Sequence, residues 1–321
     1  MAIGAGNVKY SKGGTIRSAS DQEIDEAVKA AKDAKVVILA LGEDAPEMTG
    51  EAGSRAHLGL PGRQQELLEK VIATGTPAVL VLFSGRPLTL PWAFENVPAI
   101  VAAWFPGVQA GPALVSVLYG EKAPSGRLVV SWPRSVGQLP LYYNALNTGR
   151  PARKVDVGRP PKNAEEKYVS RYIDEQNTPQ FPFGYGLSYT TFRYSPPQVS
   201  KSVLSPKSLN ETLRQRSSEN KSVITVTTEI TNTGKIAADE TAQLYIGLQG
   251  TSVAEPVKSL KAFQRVSIRP GETKKVIFQL GPEAFALWGQ DNSLGAEPAK
   301  ATIWVGASSA VEGGVSLEIG D

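Results

Sequence analysis

Two residue types that carry much of protein chemistry are almost missing from this chain. It has no cysteine and a single histidine among 321 residues. These absences exclude disulfides, thiol nucleophiles and cysteine-ligated zinc, and they argue against a histidine-based zinc site. Gly184 and Gly186 lack the third glycine and the following helix pattern of a dinucleotide loop, and no G-x-S-x-G elbow occurs. We therefore predict neither a metal nor a cofactor.

Long apolar runs and long basic runs are missing as well. No stretch approaches the ~20 apolar residues of a membrane span, and residues 1–18 lack the apolar core of a signal peptide. The net charge is only +3, and local basic clusters such as Arg150, Arg153 and Lys154 lie in Pro-rich sequence. We predict a soluble chain with no membrane segment and no nucleic-acid partner. These residues do not define a compartment.

The first part of the chain alternates between strand and helix patterns. Ser20 and Glu23 have the spacing of a capping box. Apolar runs without alternation, typical of strands covered on both faces, lie at 35–42, 77–85, 99–104 and 127–132, with helical patterns between them. This order predicts an α/β/α sandwich with a mostly parallel sheet. In such sheets, ligands meet the loops at the carboxyl ends of the strands.

After about residue 194 the apolar period changes to two, which predicts strands separated by turns. Several short strands of this kind favour an antiparallel β-sandwich of the fibronectin type III-like class. Residues 133–193 are irregular and rich in Pro, Gly and Tyr, and residues 201–222 predict a long polar loop or a disordered segment. We therefore place the α/β/α domain, with its irregular segment, at 1–193 and the fibronectin-like domain at 194–321.

The loop after the first strand, GEDAPEMTGEAGSRAHLGLPG over 42–62, collects most of the candidate chemistry. It contains four carboxylates, one arginine and the histidine: Glu43, Asp44, Glu47, Glu51, Arg55 and His57. Glycines at 50 and 53 flank Glu51 and permit that residue to move. Loop carboxylates are most often solvated surface groups, and we expect this of Asp44 and Glu47.

Segments along essentially the whole chain, in order, resemble the C-terminal half of family 3 glycoside hydrolases, most closely the bacterial periplasmic β-glucosidases. They are GEAGSRAHLGLPGRQQELLEKV, VLVLFSGRPLTLPW, AAWFPGVQAG, VLYGEKAPSGRLVVSWPRSVGQLPLYYN, NTGRP, FPFGYGLSYTTF, TNTGKIAADETAQLYI, PVKSLKAFQRV and RPGETKKVIF. The resemblance implies a barrel, an α/β/α sandwich and a fibronectin-like domain, of which the barrel is expected to be missing here. It also implies a periplasmic or secreted setting.

The same resemblance implies a retaining hydrolase of β-glucosides or related β-glycosides. It places the general acid/base at Glu51 and the nucleophilic Asp in the barrel. Retaining glycosidases need two carboxyl groups roughly 5–5.5 Å apart, so we expect this chain to be inactive alone. The expected partners are the substrate and a barrel from another chain. Self-association through an exposed apolar or aromatic patch near 42–62 is also expected.

Other candidates have structural alternatives. Glu43 is the second choice for the acid/base, and its alternative is a strand-end carboxylate bonded to backbone amides or to Arg55. Arg55 would orient Glu51 or bind substrate, or pair with another loop acid. Trp104 would stack on a sugar or belong to the core, and His57 is predicted to pack or to form a hydrogen bond rather than to act as a base. The alternative function is a non-catalytic module that binds carbohydrate or a protein partner.

Overall fold

The computed structural model describes residues 4–50, 53–152, 158–215 and 222–320. The chain divides into two compact units: unit 1 is Met1–Tyr119 with Trp132–Leu139, and unit 2 is Gly120–Ser131 with Pro140–Asp321. None of the helices in the described ranges is long and apolar enough to cross a membrane. The domain boundary placed at 193/194 stays a prediction.

Unit 1 is built on a three-stranded parallel sheet with helices between the strands. Its strands are β1 (Val37–Gly42), β2 (Ala78–Phe83) and β3 (Ala99–Ala102); its helices are α1 (Asp21–Lys32), α2 (Ala45–Met48), α3 (Gln64–Ile72), α4 (Pro91–Asn96) and α5 (Ala110–Leu118). The strand order is β1-β2-β3, and Gly42 lies opposite Phe83 at the carboxyl end of the first pair. All three strands therefore end at one edge of the sheet.

The predicted capping box at the start of α1 is confirmed. The Ser20 hydroxyl accepts from the Glu23 amide, and the Glu23 carboxylate accepts from the Ser20 amide. These bonds satisfy two of the donors that a helix N-terminus leaves unpaired. One face of α1 then buries Ile24 and packs against α3, which buries Leu67 and Leu68.

Two predictions about the strands of unit 1 are wrong. β1 is not covered on both faces, because Ile38 is 45% exposed while Leu39 and Leu41 are buried. The run 127–132 is not a fourth strand of this sheet. Its Leu128 belongs to unit 2, donates from its amide to the Tyr185 carbonyl and accepts from the Gly184 amide. This apolar run therefore pairs with a loop that is distant in sequence. Apolar periodicity cannot distinguish such a run from a strand of the main sheet.

Unit 2 is a β-sandwich preceded by irregular chain. Its strands are β4 (Phe192–Tyr194), β5 (Gln198–Val199), β6 (Val203–Leu204), β7 (Ile224–Asn232), β8 (Ala238–Gln249), β9 (Ser259–Ile268), β10 (Thr273–Leu280), β11 (Leu287–Trp288), β12 (Leu294–Gly295), β13 (Ala299–Gly306) and β14 (Val315–Ile319). One sheet has the order β10-β7-β4, with β5 also paired to β7; the other has the order β6-β14-β13-β8-β9. Alternate residues of both sheets, such as Val226, Leu244 and Ile303, form one buried cluster. The predicted fold class, a parallel α/β unit followed by an antiparallel sandwich, is confirmed.

The polar stretch predicted to be a loop at 201–222 contains a helix, α6 (Pro206–Arg214). Ser205 caps its N-terminus by accepting from the Ser208 amide, and Pro206 occupies the first turn. Leu209 is buried in the sandwich core and fixes the helix there. One apolar anchor with a good cap was enough, although polar residues dominate the stretch. Residues 216–221 of that prediction lie outside the described residues.

Candidate active site

The loop 42–62 begins at the edge where β1 and β2 both end. Gly42 has φ 143°, and a Cβ there would overlap the backbone of Phe83. Glycine is therefore required for the chain to leave β1 so close to β2. The next amide, that of Glu43, donates to the Phe83 carbonyl at 2.8 Å.

Two described segments pair with each other at the end of the short helix α2; we call these two arms, residues 48–50 and 53–54, the hairpin. Thr49 and Ser54 form an antiparallel bridge, and the Gly50 amide donates to the Gly53 carbonyl at 2.8 Å. The Thr49 hydroxyl also bonds back to the Ala45 carbonyl of α2 at 2.8 Å. The predicted acid/base, Glu51, comes between the two glycines in sequence and lies outside the described residues.

Glu43 is the centre of a buried ion cluster. Its side chain is 0% exposed, and its Oε1 accepts from Arg55 Nη1 at 3.0 Å and from Arg86 Nη2 at 2.9 Å. Arg86 Nε lies 3.3 Å and 3.4 Å from the two carboxylate oxygens. A buried carboxylate needs such partners, because burial without them costs several kcal/mol. The geometry is that of the ion-pair alternative considered for Glu43 and Arg55.

Both guanidinium groups also form hydrogen bonds with other residues of the loop 42–62. Arg86 Nη2 donates to the Met48 carbonyl at 2.7 Å, and Arg86 Nη1 donates to Ser54 Oγ at 3.2 Å. Arg55 Nη2 donates to the Gly59 carbonyl at 2.7 Å. We call Glu43, Arg55 and Arg86 the loop clamp. Sequence reasoning missed Arg86, although its place just after β2, at the same sheet edge as Glu43, was the available signal.

The remaining acids and the histidine of the loop are peripheral to the clamp. Asp44 is half-buried at the N-cap position of α2, so the expectation that it faces solvent is only partly met. Glu47 is exposed and pairs with Arg17. His57 is exposed, which does not fit the packing alternative considered for it; the hydrogen-bonding alternative stays a prediction. Among the described residues, no group of three or more His, Asp or Glu side chains is arranged to hold a metal ion.

The two aromatic residues after β3 differ in exposure: Trp104 packs against another ring, and Phe105 is exposed. Trp104 is half-buried, has φ 53°, and lies against Trp132 with ring centroids 5.9 Å apart. Trp132 is itself buried and donates from Nε1 to the Leu88 carbonyl at 2.7 Å. Phe105 and Val108 are 41% and 98% exposed; the apolar patch expected near 42–62 and self-association through it stay predictions. The substrate-binding roles of Arg55 and Trp104 stay predictions.

A cavity of about 410 Å³ opens in unit 1 beside the end of β1. Glu43 contributes to its lining, together with Asp44, Phe105, Arg63 and the segment 12–16. The cavity and the loop clamp therefore share Glu43. A concave, mixed polar and apolar space at the carboxyl edge of a parallel sheet is where ligands of this class of fold bind.

Comparison with known families accounts for most of this chain. The family model described as glycosyl hydrolase family 3 C-terminal domain matches residues 2–189, and the fibronectin type III-like domain model matches residues 240–309. The chain belongs to glycosyl hydrolase family 3. The family 3 model spans β1, the loop clamp and the irregular segment, so the resemblance seen in the separate motifs is confirmed.

Individual family 3 relatives extend beyond this chain. A periplasmic beta-glucosidase of Salmonella typhimurium is 43% identical over 287 residues, covering 89% of this chain and 34% of the relative. A beta-xylosidase of Formosa agariphila is 38% identical, covering 94% and 38%. A crystal structure of a Listeria innocua beta-glucosidase in complex with glucose superposes with a TM-score of 0.83 and 36% identity, covering 96% of this chain and 40% of that one. The chain thus spans about two fifths or less of the length of these relatives.

Proposed function

We propose that this family 3 chain supplies the proton-transfer half of a retaining β-glycosidase, with Glu51 as its general acid/base. The observation that carries the proposal is the arrangement of the described residues on either side of Glu51 in sequence. Thr49 and Gly50 pair with Ser54 and Gly53 near the carboxyl edge of the sheet, and the loop clamp bonds to Met48 and to Ser54. Relatives named beta-glucosidase and beta-xylosidase support β-linked glucosides or xylosides as the substrate class.

The chemistry requires a second carboxylate. A nucleophilic carboxylate attacks the anomeric carbon while the acid protonates the departing glycosidic oxygen, so that the C–O bond breaks and a covalent glycosyl-enzyme forms. The resulting glutamate then removes a proton from water, which hydrolyses that intermediate and restores the acid. In our proposal Glu51 fills the acid/base role. A barrel domain supplies the nucleophile, and no Ser-Asp-Trp motif of the kind expected for it occurs in these 321 residues.

Glu43 is the weaker candidate for the same role. An acid must carry a proton on an oxygen that faces the substrate, and guanidinium donors already occupy the Glu43 oxygens. Its side chain is also 0% exposed. We therefore assign Glu43 to holding the loop.

The test is an assay of 4-nitrophenyl β-glucoside hydrolysis by the 321-residue chain, alone and mixed with the remaining N-terminal part of the Salmonella relative. We expect no turnover by the chain alone and turnover by the mixture. Glu51→Gln should lower the rate of the mixture by about 10²–10⁴-fold, the usual contribution of general acid–base catalysis. Glu47→Gln, a matched exposed acid of the same loop, should leave the rate unchanged. Turnover by the chain alone, or full activity of Glu51→Gln, would contradict the proposal.

A second candidate function, carbohydrate binding without catalysis, is favoured by one feature of unit 2. Trp288 on β11 is 66% exposed, and the adjoining hairpin lines a polar cavity of about 470 Å³ with Arg214, Gln290 and Glu297. Sugar-binding surfaces combine an aromatic platform with polar groups of this kind. Quenching of tryptophan fluorescence by cellobiose, lost in Trp288→Ala, would support it, and an unchanged spectrum would count against it.

A further inference from the structure

Arg86 occupies a position from which one side chain can hold both arms of the hairpin. It lies three residues after the end of β2, and Glu43 lies one residue after the end of β1. The two strands are parallel neighbours in register, with Gly42 opposite Phe83, so the two side chains leave the sheet at the same edge. Their contact follows from strand order and needs no contribution from the loop itself.

The donors of Arg86 are divided between an anchor and the hairpin. Nε and Nη2 face the buried carboxylate of Glu43, which fixes the guanidinium plane. The same plane reaches the Met48 carbonyl in the first arm of the hairpin and the Ser54 hydroxyl in the second. A guanidinium presents five donors in a rigid fork, and an ammonium cannot reproduce that arrangement.

A second feature brings the loop between β2 and α4, which carries Arg86, close to the hairpin. Gly85 precedes Arg86, and a Cβ at that position would lie 3.1 Å from Thr49 Cγ2 and 3.0 Å from the Phe105 ring. The absence of a side chain at 85 therefore lets the β2–α4 loop approach the first arm of the hairpin closely. Close approach and hydrogen bonding act on the same pair of segments, 48–54 and 85–86.

We propose that Arg86 is a positioning residue, which fixes the arms of the hairpin at Met48 and Ser54 through the Glu43 anchor. This inference rests on the proposed function, because the hairpin matters for the reaction only if Glu51 is the acid/base. Arg86 acts on the hairpin backbone and has no contact with substrate in this role. Acid catalysis needs the proton donor held to within a fraction of an ångström, and the fork of Arg86 bonds to described residues on both sides of the proposed donor in sequence.

The test compares two arginines of unit 1 in the 321-residue chain. Arg86→Lys keeps the charge but not the fork. Arg63→Lys is the matched control, because Arg63, like Arg86, bonds three groups. They are the carboxylates of Asp21 and Glu66 and the carbonyl of Ala19, and none of these bonds reaches the hairpin. The measurements are ¹⁵N order parameters for the amides of 49, 50, 53 and 54, amide exchange at Gly50, and the urea midpoint of unfolding.

We expect Arg86→Lys to lower these order parameters from about 0.85 to below about 0.6 and to speed Gly50 exchange about tenfold. Arg63→Lys should leave both unchanged, even if its urea midpoint falls by as much. Equal loosening by the two variants, or no loosening by Arg86→Lys, would overturn the proposal. If Arg86→Lys does not fold, Ser54→Ala and Gly85→Ala should each loosen the same amides, and a rigid hairpin in both would overturn it.

These outcomes are independent of the catalytic proposal. Order parameters and exchange report on the hairpin whether or not the chain takes part in hydrolysis. Full activity of Glu51→Gln in the barrel mixture would remove the catalytic assignment and leave the positioning result intact. A rigid hairpin in Arg86→Lys together with an inactive Glu51→Gln would do the reverse.

Discussion

Glu43 in unit 1 and Glu240 in unit 2 are both buried glutamates bonded to arginine, but their surroundings differ. Glu43 follows the end of a strand and meets two guanidiniums that are 21% and 23% exposed. Glu240 lies within β8 and meets one guanidinium, that of Arg127 at 2.5 Å, which is only 10% exposed. Its second partner is the Tyr194 hydroxyl, which donates to Glu240 Oε1 at 2.7 Å.

The difference teaches what each buried charge does. The arginines at Glu43 use their remaining donors on loop atoms, so the cluster restrains a loop at the edge of the sheet. At Glu240, the partners come from segments that precede β8 in sequence. The cluster joins Arg127 to β8 and joins β4, through Tyr194, to the same strand. Both carboxylates are buried, but the arginines of the strand-end carboxylate reach a loop, whereas the partners of the mid-strand carboxylate belong to unit 2 segments packed on the sandwich. Stability measurements on the two clusters should therefore give different results.

The largest effect is expected when Glu240 is removed. Glu240→Ala leaves the charge of Arg127 buried and uncompensated, which should cost unit 2 about 3–5 kcal/mol of unfolding free energy. Urea denaturation followed by near-UV circular dichroism measures the loss. Arg265→Met is the control, because Arg265 forms an exposed pair with Asp239 on the neighbouring position of β8; its loss should be at most about 1 kcal/mol. Similar losses for the two variants would mean that burial does not set the cost.

A smaller effect is expected at Glu43. Glu43→Gln removes the negative charge, but both arginines are partly exposed and keep their bonds to loop carbonyls. We expect unit 1 to lose about 2 kcal/mol, the range of hydrogen bonds to charged groups. The same urea experiment measures it, and Glu47→Gln serves as the exposed control. A loss larger than that of Glu240→Ala would reverse the comparison.

The smallest effect concerns pH. Burial raises the pKa of Glu240 above its ordinary value, although Tyr194 and Arg127 act in the opposite direction. The folded state then binds this proton more tightly than the unfolded chain. Its contribution to stability is complete below the unfolded pKa of about 4.3 and declines as pH rises through the folded pKa. The difference in unfolding free energy between wild type and Glu240→Gln should follow that decline, and a flat difference between pH 4 and 8 would contradict it.

A half-buried carboxylate of unit 2 gives the opposite sign and calibrates the measurement. Hydrogen bonds from Arg159 and from the Lys162 backbone lower the pKa of Glu166 to about 2. Its stabilising contribution is therefore present above the unfolded pKa and is lost as pH falls toward 2. Carboxyl ¹³C titration should place Glu166 below, and Glu240 above, the ordinary glutamate value. Arg159→Met should move only the Glu166 midpoint, upward.

Local sequence signals predicted the elements that depend on local physics. The cap at Ser20 and the strand pattern of 37–42 both involve neighbours within a few residues, and both were found. The helix at 206–214 was missed because a single buried side chain, Leu209, decides it. The run 127–132 was misassigned because its partner lies at 184–185, more than 50 residues away in sequence. Apolar periodicity does not contain that information.

The candidate site shows the same limit at the level of side chains. The loop 42–62 could be singled out from its position after a strand and from the family motif GEAGSR. The cluster within it could not, because Arg86 and Glu43 are 43 residues apart and meet only through the order of two parallel strands. The structure buries Glu43 between two arginines, and no sequence pattern predicts how deeply a strand-end carboxylate is buried.

The side-chain amide of Gln64 occupies hydrogen-bonding groups on the outer side of β1, the first strand in the order β1-β2-β3. Its Oε1 accepts from the Gly42 amide at 2.7 Å, and its Nε2 donates to the Gly42 carbonyl at 2.9 Å. The side-chain amide of Gln64 thus makes the two backbone bonds that a neighbouring strand would make to Gly42, the last residue of β1. Any chain that added to this edge could pair with β1 only as far as Leu41. Gln64 therefore blocks the pairing of an added strand at Gly42, the residue that precedes Glu43 of the loop clamp.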